Sequence, residues 1–245
     1  MMIIKKIFKV AESYHHNLYL AKNNSDLFII KELKDILNID RKTQLRKEGQ
    51  WLKDIYHKNI VKCFEVNNKN IVLEFLKGET LYYNLKTKDI SLKESINIVY
   101  DLLKTVNHLH ENNIVHNDLN PMNIIYYKNQ VKVIDLSVAQ PMNSDVFKLG
   151  SPEFSSPEQL KQEKVNRMSD FWAIGCIFYY LVMGYRPFKY NPIKHEQLYK
   201  EIDKKALNHK LNNELSNLII AMLNKDWKDR PSYEETLLTI RKFKQ

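Results

Sequence analysis

The alternation of apolar and polar positions divides the chain into an extended first part and a helical second part. Leu18–Ala21 and Leu27–Ile30 are apolar runs separated by Lys22-Asn23-Asn24-Ser25-Asp26, a polar stretch of turn-forming residues, and this pattern predicts a β-hairpin. Over residues 40–56, Leu45, Trp51, Leu52 and Ile55 recur at helical spacing. Ile60–Val66 and Asn70–Phe75 return to strand character around an Asn67-Asn68 turn. The first 80 residues therefore predict a small sheet with one helix.

Beyond Gly78 the period changes. Ile96, Val99, Leu102, Leu103, Val106 and Leu109 form one helical stripe, and Ser91 followed three residues later by Glu94 predicts a capping box at its start. Helical periodicity also covers residues 169–183, 194–203, 211–224 and 231–243, with Ser169 and Ser232 as the expected N-caps. Two short strands, Ile124–Tyr127 and Val131–Ile134, are expected on either side of Lys128-Asn129-Gln130. The expected fold class is α+β in two lobes that meet near Glu74–Gly78: residues 1–76 rich in sheet, residues 77–245 mainly helical.

Composition narrows the chemistry. Five glycines in 245 residues leave no room for the Gly-x-Gly-x-x-Gly or Gly-x-x-x-x-Gly-Lys-Ser/Thr phosphate loops. The formal net charge is +9, from 38 Lys and Arg against 29 Asp and Glu, but the cations are single lysines interleaved with acids. A solvated basic surface is therefore expected, and no nucleic-acid partner. Cys63 and Cys176 are too few for a disulfide framework and sit in apolar surroundings, as packed thiols in a reducing compartment do. The longest apolar run, Phe171–Met183, is 13 residues, short of the roughly 20 that span a bilayer. The start, Met-Met-Ile-Ile-Lys-Lys-Ile-Phe, has no useful signal-peptide core. The expectation is a cytoplasmic protein with no membrane partner.

The segment His116-Asn117-Asp118-Leu119-Asn120-Pro121-Met122-Asn123 places a carboxylate and a carboxamide five residues apart, just before a hairpin that ends in Asp135-Leu136-Ser137. Oxygen donors supplied in small number suit a Mg²⁺ ion that keeps its waters and bridges phosphates. This pair of segments resembles the His-Arg-Asp-x-x-x-x-Asn catalytic loop and the Asp-Phe-Gly metal motif of the eukaryotic-like protein kinase family. Further matches follow in order. Gly150-Ser151-Pro152-Glu153-Phe154-Ser155-Ser156-Pro157-Glu158 resembles the end of the activation segment, Ser169-Asp170-Phe171-Trp172-Ala173-Ile174-Gly175 the start of the large lobe's central helix, and Asp229-Arg230-Pro231-Ser232 the late Arg-Pro motif. Upstream, Phe28-Ile29-Ile30-Lys31 stands for Val-Ala-Ile-Lys, and Glu48 precedes His57-Lys58-Asn59-Ile60-Val61 as the family's helix glutamate does.

The resemblance covers the whole chain and implies a two-lobed protein-kinase fold, with ATP and Mg²⁺ as cofactors and a protein bearing Ser or Thr acceptors as substrate. It implies that Asp118 takes or orients the proton of the acceptor hydroxyl, that Asn123 and Asp135 hold the metal, and that Lys31 marks the α- and β-phosphates while Glu48 holds Lys31. The nucleotide is expected against Ala11, Ser13, His16, Leu18, Ile29, Leu73, Glu74 and Leu76. Asp170 is expected to brace the catalytic loop, Glu158 to pair with Arg230, and Leu52, Cys63, Leu136 and His116 to match the family's apolar column.

The chain departs from the family pattern at several points. The three glycine positions of the nucleotide loop read Ala11, Ser13 and His16, and a Cβ there limits both loop flexing and backbone approach to phosphate. Ile29 replaces a small alanine and narrows the adenine pocket. Both changes imply weaker ATP binding. Asn117 replaces the arginine that an activation-segment phosphate neutralises, and Ser144 is the one obvious mid-segment hydroxyl, so activity without activation-segment phosphorylation is expected. Ser151 before Pro152 is of the serine/threonine type, in which a hydroxyl bonds the catalytic aspartate; Asn120 replaces a lysine. The leading reading is a serine/threonine protein kinase. A pseudokinase acting as a nucleotide-binding or scaffold protein is the alternative, supported by the glycine-free loop and opposed by Lys31, Glu48, Asp118, Asn123 and Asp135. A small-molecule phosphotransferase is a third, opposed by the Ser-Pro-Glu segment.

Overall fold

In a computed structural model, the protein is described over residues 4–145, 150–189, 191 and 194–244. It forms two compact units, one reaching to Gly78 and including Ile134–Ser137, the other made of Glu79–Val133 and the chain after Ser137. The sequence pattern divides the chain two residues earlier, and it gives no sign that Ile134–Ser137 returns to the first unit.

The first unit is an antiparallel sheet of β1 (Lys5–Glu12), β2 (His16–Asn23), β3 (Asp26–Leu33), β4 (Cys63–Val66) and β5 (Asn70–Glu74), with α1 (Ile39–Asp54) between β3 and β4 in the chain. Strand order is β1-β2-β3-β5-β4. The expected hairpin is β2–β3, tighter than the polar stretch implied: pairing continues to Asn23 opposite Asp26, so only Asn24 and Ser25 turn, and Asn24 takes the left-handed φ of 51° that asparagine tolerates. Register sorts the side chains by face, because neighbours along a strand alternate. Ala21, Phe28, Ile30 and Val72 make a small core on one face. Leu18 opposite Lys31, and Lys31 opposite Ile71, lie on the other, as do Ile29 and Leu73. Helix α1 packs on this second face at Gly49, where an added Cβ would stand 2.7 Å from methyls of both Ile71 and Val66. That close approach explains a glycine inside a helix, which otherwise costs about 1 kcal/mol against alanine. The strand expected from Ile60 begins only at Cys63, although Ile60 and Val61 are buried.

The second unit contains β6 (Glu79–Thr80), α2 (Leu81–Thr87), α3 (Leu92–Glu111), β7 (Ile114–Val115), β8 (Ile124–Tyr127), β9 (Gln130–Val133), β10 (Gln140–Pro141), α4 (Pro157–Leu160), α5 (Met168–Met183), α6 (Lys204–Asn208), α7 (Asn213–Met222) and α8 (Tyr233–Phe243). The α3 stripe is buried along its length, and the Ser91–Glu94 capping box is formed on both sides. Hairpin β8–β9 turns through Lys128 and Asn129, both at positive φ, as a two-residue turn matched to strand twist requires. Helix α5 is buried all round from Ser169 to Leu181, the environment of a helix apolar on every side. Among the described residues no helix is long and apolar enough to cross a membrane.

Two expectations about helices are corrected. Residues 194–203 form one 3₁₀ turn, Glu196–Leu198, instead of a helix. Gln197 is buried there and donates to the Pro152 carbonyl, while the Asp203 side chain accepts from the N–H groups of Lys205 and Ala206 and so starts α6 instead of sitting inside a longer helix. Ser169 is not an N-cap. Helix α5 begins one residue before it, and its hydroxyl donates to Glu158 Oε1 at 3.0 Å. Ser232 does cap α8, with Glu235 completing the box.

Candidate active site

In the first unit, β3 presents Lys31 on the face that α1 covers, so Glu48, next to the Gly49 contact, reaches it. Lys31 Nζ donates to Glu48 Oε1 and Oε2 at 2.8 and 2.9 Å and to Asp135 Oδ2 at 3.0 Å. One ammonium thus serves two carboxylates. Burial alone would lower the Lys31 pKa, but Asp135 and Glu48 together hold it well above the usual lysine range. Burial lifts Glu48 up to about 7 against the pull of Lys31, because its side chain is 1% exposed and Asp135 adds a second negative charge. Asp135 goes the other way: burial opposes its charge, yet Lys31 and the Ser137 N–H at 2.7 Å hold it well below the usual carboxylate range. Gln44 of α1 donates to the Ser137 carbonyl at 2.5 Å and anchors this short segment.

The residues expected against a nucleotide fall on and around the same sheet. Leu18, Ile29 and Leu73 share the Lys31 face, and Ala11 pairs with Leu18. Ser13 turns the β1–β2 hairpin, its N–H donating to the His16 carbonyl and its Oγ accepting from the His16 N–H. His16 lies opposite Leu33, and burial, then the charge of Lys31, lowers its pKa to about 4, leaving a neutral imidazole at neutral pH. Between residues 11 and 18, all described, no positive φ occurs, so this hairpin uses backbone open to any residue. Glu74 lies opposite Phe28, so its carboxylate takes the other face, where it accepts from the Lys62 N–H; Leu76 follows the end of β5.

In the second unit the loop after β7 is pinned from below. Asp170, in the first turn of α5, accepts from the N–H groups of His116 and Asn117 at 2.9 and 3.0 Å and from His110 Nε2 at 2.8 Å. Burial opposes its charge, but the His110 hydrogen bond leads the groups that lower its pKa. This clamp holds Asn117 in the left-handed region, φ 63°. Asp118 is then fixed at both oxygens. Oδ1 accepts from the Ser151 N–H at 2.6 Å and Asn120 Nδ2 at 3.0 Å, and Oδ2 from Asn123 Nδ2 at 3.0 Å. The Asn123 amide also donates to the Asp118 carbonyl, and its own Oδ1 takes no hydrogen bond among the described residues. A Cβ on Gly150 would stand 2.5 Å from Asp118 Oδ1, so only glycine lets the segment lie this close. Beneath, Arg230 grips Glu158 through two nitrogens at 2.7 and 2.8 Å, both side chains buried.

A family model described as "Protein kinase domain" matches residues 16–239. The chain belongs to the protein kinase family. It is 32% identical over 226 residues to "Calcium-dependent protein kinase 5" of Plasmodium falciparum, covering 85% of this chain and 39% of that one. It is 30% identical over 190 residues to "Serine/threonine-protein kinase PrkC" of Bacillus subtilis, covering 70% and 29%, and 29% identical over 188 residues to "Calcium/calmodulin-dependent protein kinase type 1" of Caenorhabditis briggsae, covering 70% and 52%. The chain thus spans between 29% and 52% of the length of these curated relatives.

Against the protein-kinase pattern, one expected contact is made by a different group. The Ser151 hydroxyl does not bond Asp118: its backbone N–H does, while the hydroxyl accepts from Asn120 Nδ2 at 3.1 Å. Asn120 is the residue that the sequence left without a role. Its amide group ties Ser151 to Asp118, and its Oδ1 accepts from the Met122 N–H. His116 is fully buried with its Nδ1 accepting from the Asp118 N–H at 3.3 Å, and burial pushes the Cys63 thiol up to about 11. The described residues hold no cluster of three His, Cys, Asp or Glu side chains fit for a metal. The first unit offers a carboxylate at Asp135 and the second a carboxamide oxygen at Asn123, each a donor type that hard cations accept.

Proposed function

We propose that this chain is a serine/threonine protein kinase that transfers the γ-phosphoryl group of ATP to a hydroxyl of a protein substrate. The observation that carries this reading is the fixing of Asp118 by Asn120, Asn123 and the Ser151 N–H, which aims one carboxylate before any substrate arrives. Asp118 accepts the proton of the acceptor hydroxyl. Lys31, held by Glu48, sets positive charge against the α- and β-phosphates. Asn123 and Asp135 would hold Mg²⁺, which when bound neutralises the phosphate oxygens. The serine/threonine type rests on the Ser151-Pro152 sequence, whose hydroxyl is tied to Asp118 through Asn120, and on the likeness to "Serine/threonine-protein kinase PrkC".

Activity without activation-segment phosphorylation is part of the proposal. Where the family carries an arginine, Asn117 enters a neutral network: Gln159 Nε2 donates to its carbonyl at 2.9 Å, and its own amide lies 3.5 Å from Gln140 Oε1. Gln140 in turn donates to the Asp145 carbonyl, and Lys164 pairs with the Asp145 carboxylate. Ser144 donates its hydroxyl to the Pro141 carbonyl. Residues 146–149 of this segment lie outside the described ones. A scaffold reading is favoured by one observation, Ala11, Ser13 and His16 in place of glycine. Incubating the protein with ATP, Mg²⁺ and a generic protein substrate separates the readings: phosphoserine or phosphothreonine is expected, and nucleotide binding without any transfer would favour the scaffold.

A further inference from the structure

The second unit carries a cavity of about 420 Å³ that begins at Asp118's own partners. Asn120, Pro121, Met122 and Ser151 form one end, and Tyr82, Lys86, Phe154, Tyr180 and Arg186 form the other, with Glu153 between. Its walls mix aromatic and apolar side chains with polar and charged ones, and the charges do not balance. Arg186 gives one nitrogen to Glu153 Oε1 at 2.9 Å, which leaves most of the five donors of its guanidinium without a partner among the described residues. Lys86, four residues after Tyr82 on α2, lies 5.7 Å from the centre of the Tyr82 ring and makes no ion pair among the described residues. Two cations therefore face one carboxylate, beside the aspartate assigned above to the acceptor hydroxyl.

We propose that this cavity selects acceptor peptides with an acidic side chain close to the phosphorylated residue, held by Lys86 and Arg186 against the aromatic wall. The inference rests on the kinase reading for what the peptide is. A basic side chain at the same place would meet two cations, so the cavity discriminates by repulsion as well as attraction. The closed Arg186–Glu153 pair positions the guanidinium without exhausting it.

The test reads binding by fluorescence anisotropy, with no nucleotide present, so it does not depend on phosphoryl transfer. Labelled ten-residue alanine-based peptides with a central serine carry Glu, phosphoserine, Lys or Ala at each flanking position in turn. At one or more positions Glu is expected to bind roughly tenfold tighter than Lys, two exposed charge pairs giving about this ratio. Phosphoserine is expected to bind at least as well as Glu. Lys86→Glu and Arg186→Glu should each reduce or reverse the preference, and Glu153→Gln should increase it. Unchanged melting temperatures would show that the variants are folded. Equal affinity for Glu and Lys at every position, or a preference indifferent to Lys86→Glu and Arg186→Glu, would overturn the inference and leave the kinase reading standing. Charge-selective binding without transfer from ATP would support the cavity's role and remove the kinase reading.

Discussion

At the scale of single residues, the first unit is governed by competition for one ammonium. Lys31 pairs with Glu48 and Asp135, and the two carboxylates respond in opposite directions because burial outweighs Lys31 at Glu48, whereas Lys31 and the Ser137 N–H outweigh burial at Asp135. A carboxyl whose folded pKa is raised contributes stability that is fully present below its unfolded pKa and lost as pH rises through the folded value. For Glu48 that window runs from about 4.5 to about 7. Wild type should therefore lose stability relative to Glu48→Gln between pH 5 and pH 7.5, as read by paired melting curves; parallel curves would contradict this. At Gly150 the constraint is steric. Gly150→Ala sets a methyl 2.5 Å from Asp118 Oδ1, so the carboxylate must move. Turnover is expected to fall about 100-fold, the cost of a misplacement near 1 Å, with the melting temperature nearly unchanged.

At the scale of elements, α5 joins packing to the catalytic loop. Its first turn supplies Asp170 to the loop and Ser169 to Glu158, and Arg230, just before α8, closes the pair. Arg230→Met leaves Glu158 as a buried, uncompensated charge. The expected cost is about 3–5 kcal/mol, or a melting temperature lower by on the order of 10 °C for a chain of this size; a loss below 2 °C would show that the pair is not structural. The same elements show what sequence can reveal. The β2–β3 hairpin, the α3 stripe and the boxes at Ser91 and Ser232 are legible because their causes lie within a few residues. Ser169 resembles a cap because the pattern cannot show Glu158, eleven positions away. Residues 194–203 look helical because nothing local reveals that Gln197 is held by Pro152. Gly49 has no local signal, since its partners Val66 and Ile71 lie 17 or more positions away, and at Asn120 the local pattern cannot show the bond to Ser151, 31 positions on.

At the scale of the molecule, the ordered series of motifs made the family legible before any contact was visible, because each motif fixes a residue type at a spacing that phosphoryl transfer and its supports require. It could not show that Asp135 belongs to the first unit, with Lys31, while Asp118 and Asn123 belong to the second. Nor could it show that the Asn117 carbonyl and side chain meet the amides of Gln159 and Gln140. Those amides carry a prediction: treating the purified protein with a phosphatase should leave transfer activity unchanged, and Ser144→Ala should do the same. Loss of activity after phosphatase treatment would refute activation without phosphorylation.

The central claim is that Asp118 and Asp135 carry phosphoryl transfer. Transfer from ATP and Mg²⁺ to a generic protein, compared between wild type, Asp118→Ala and Asp135→Ala, tests it most directly. Each variant is expected to be slower by roughly 100-fold or more, the usual contribution of a positioned proton acceptor or metal carboxylate. Equal transfer by all three proteins would contradict the account.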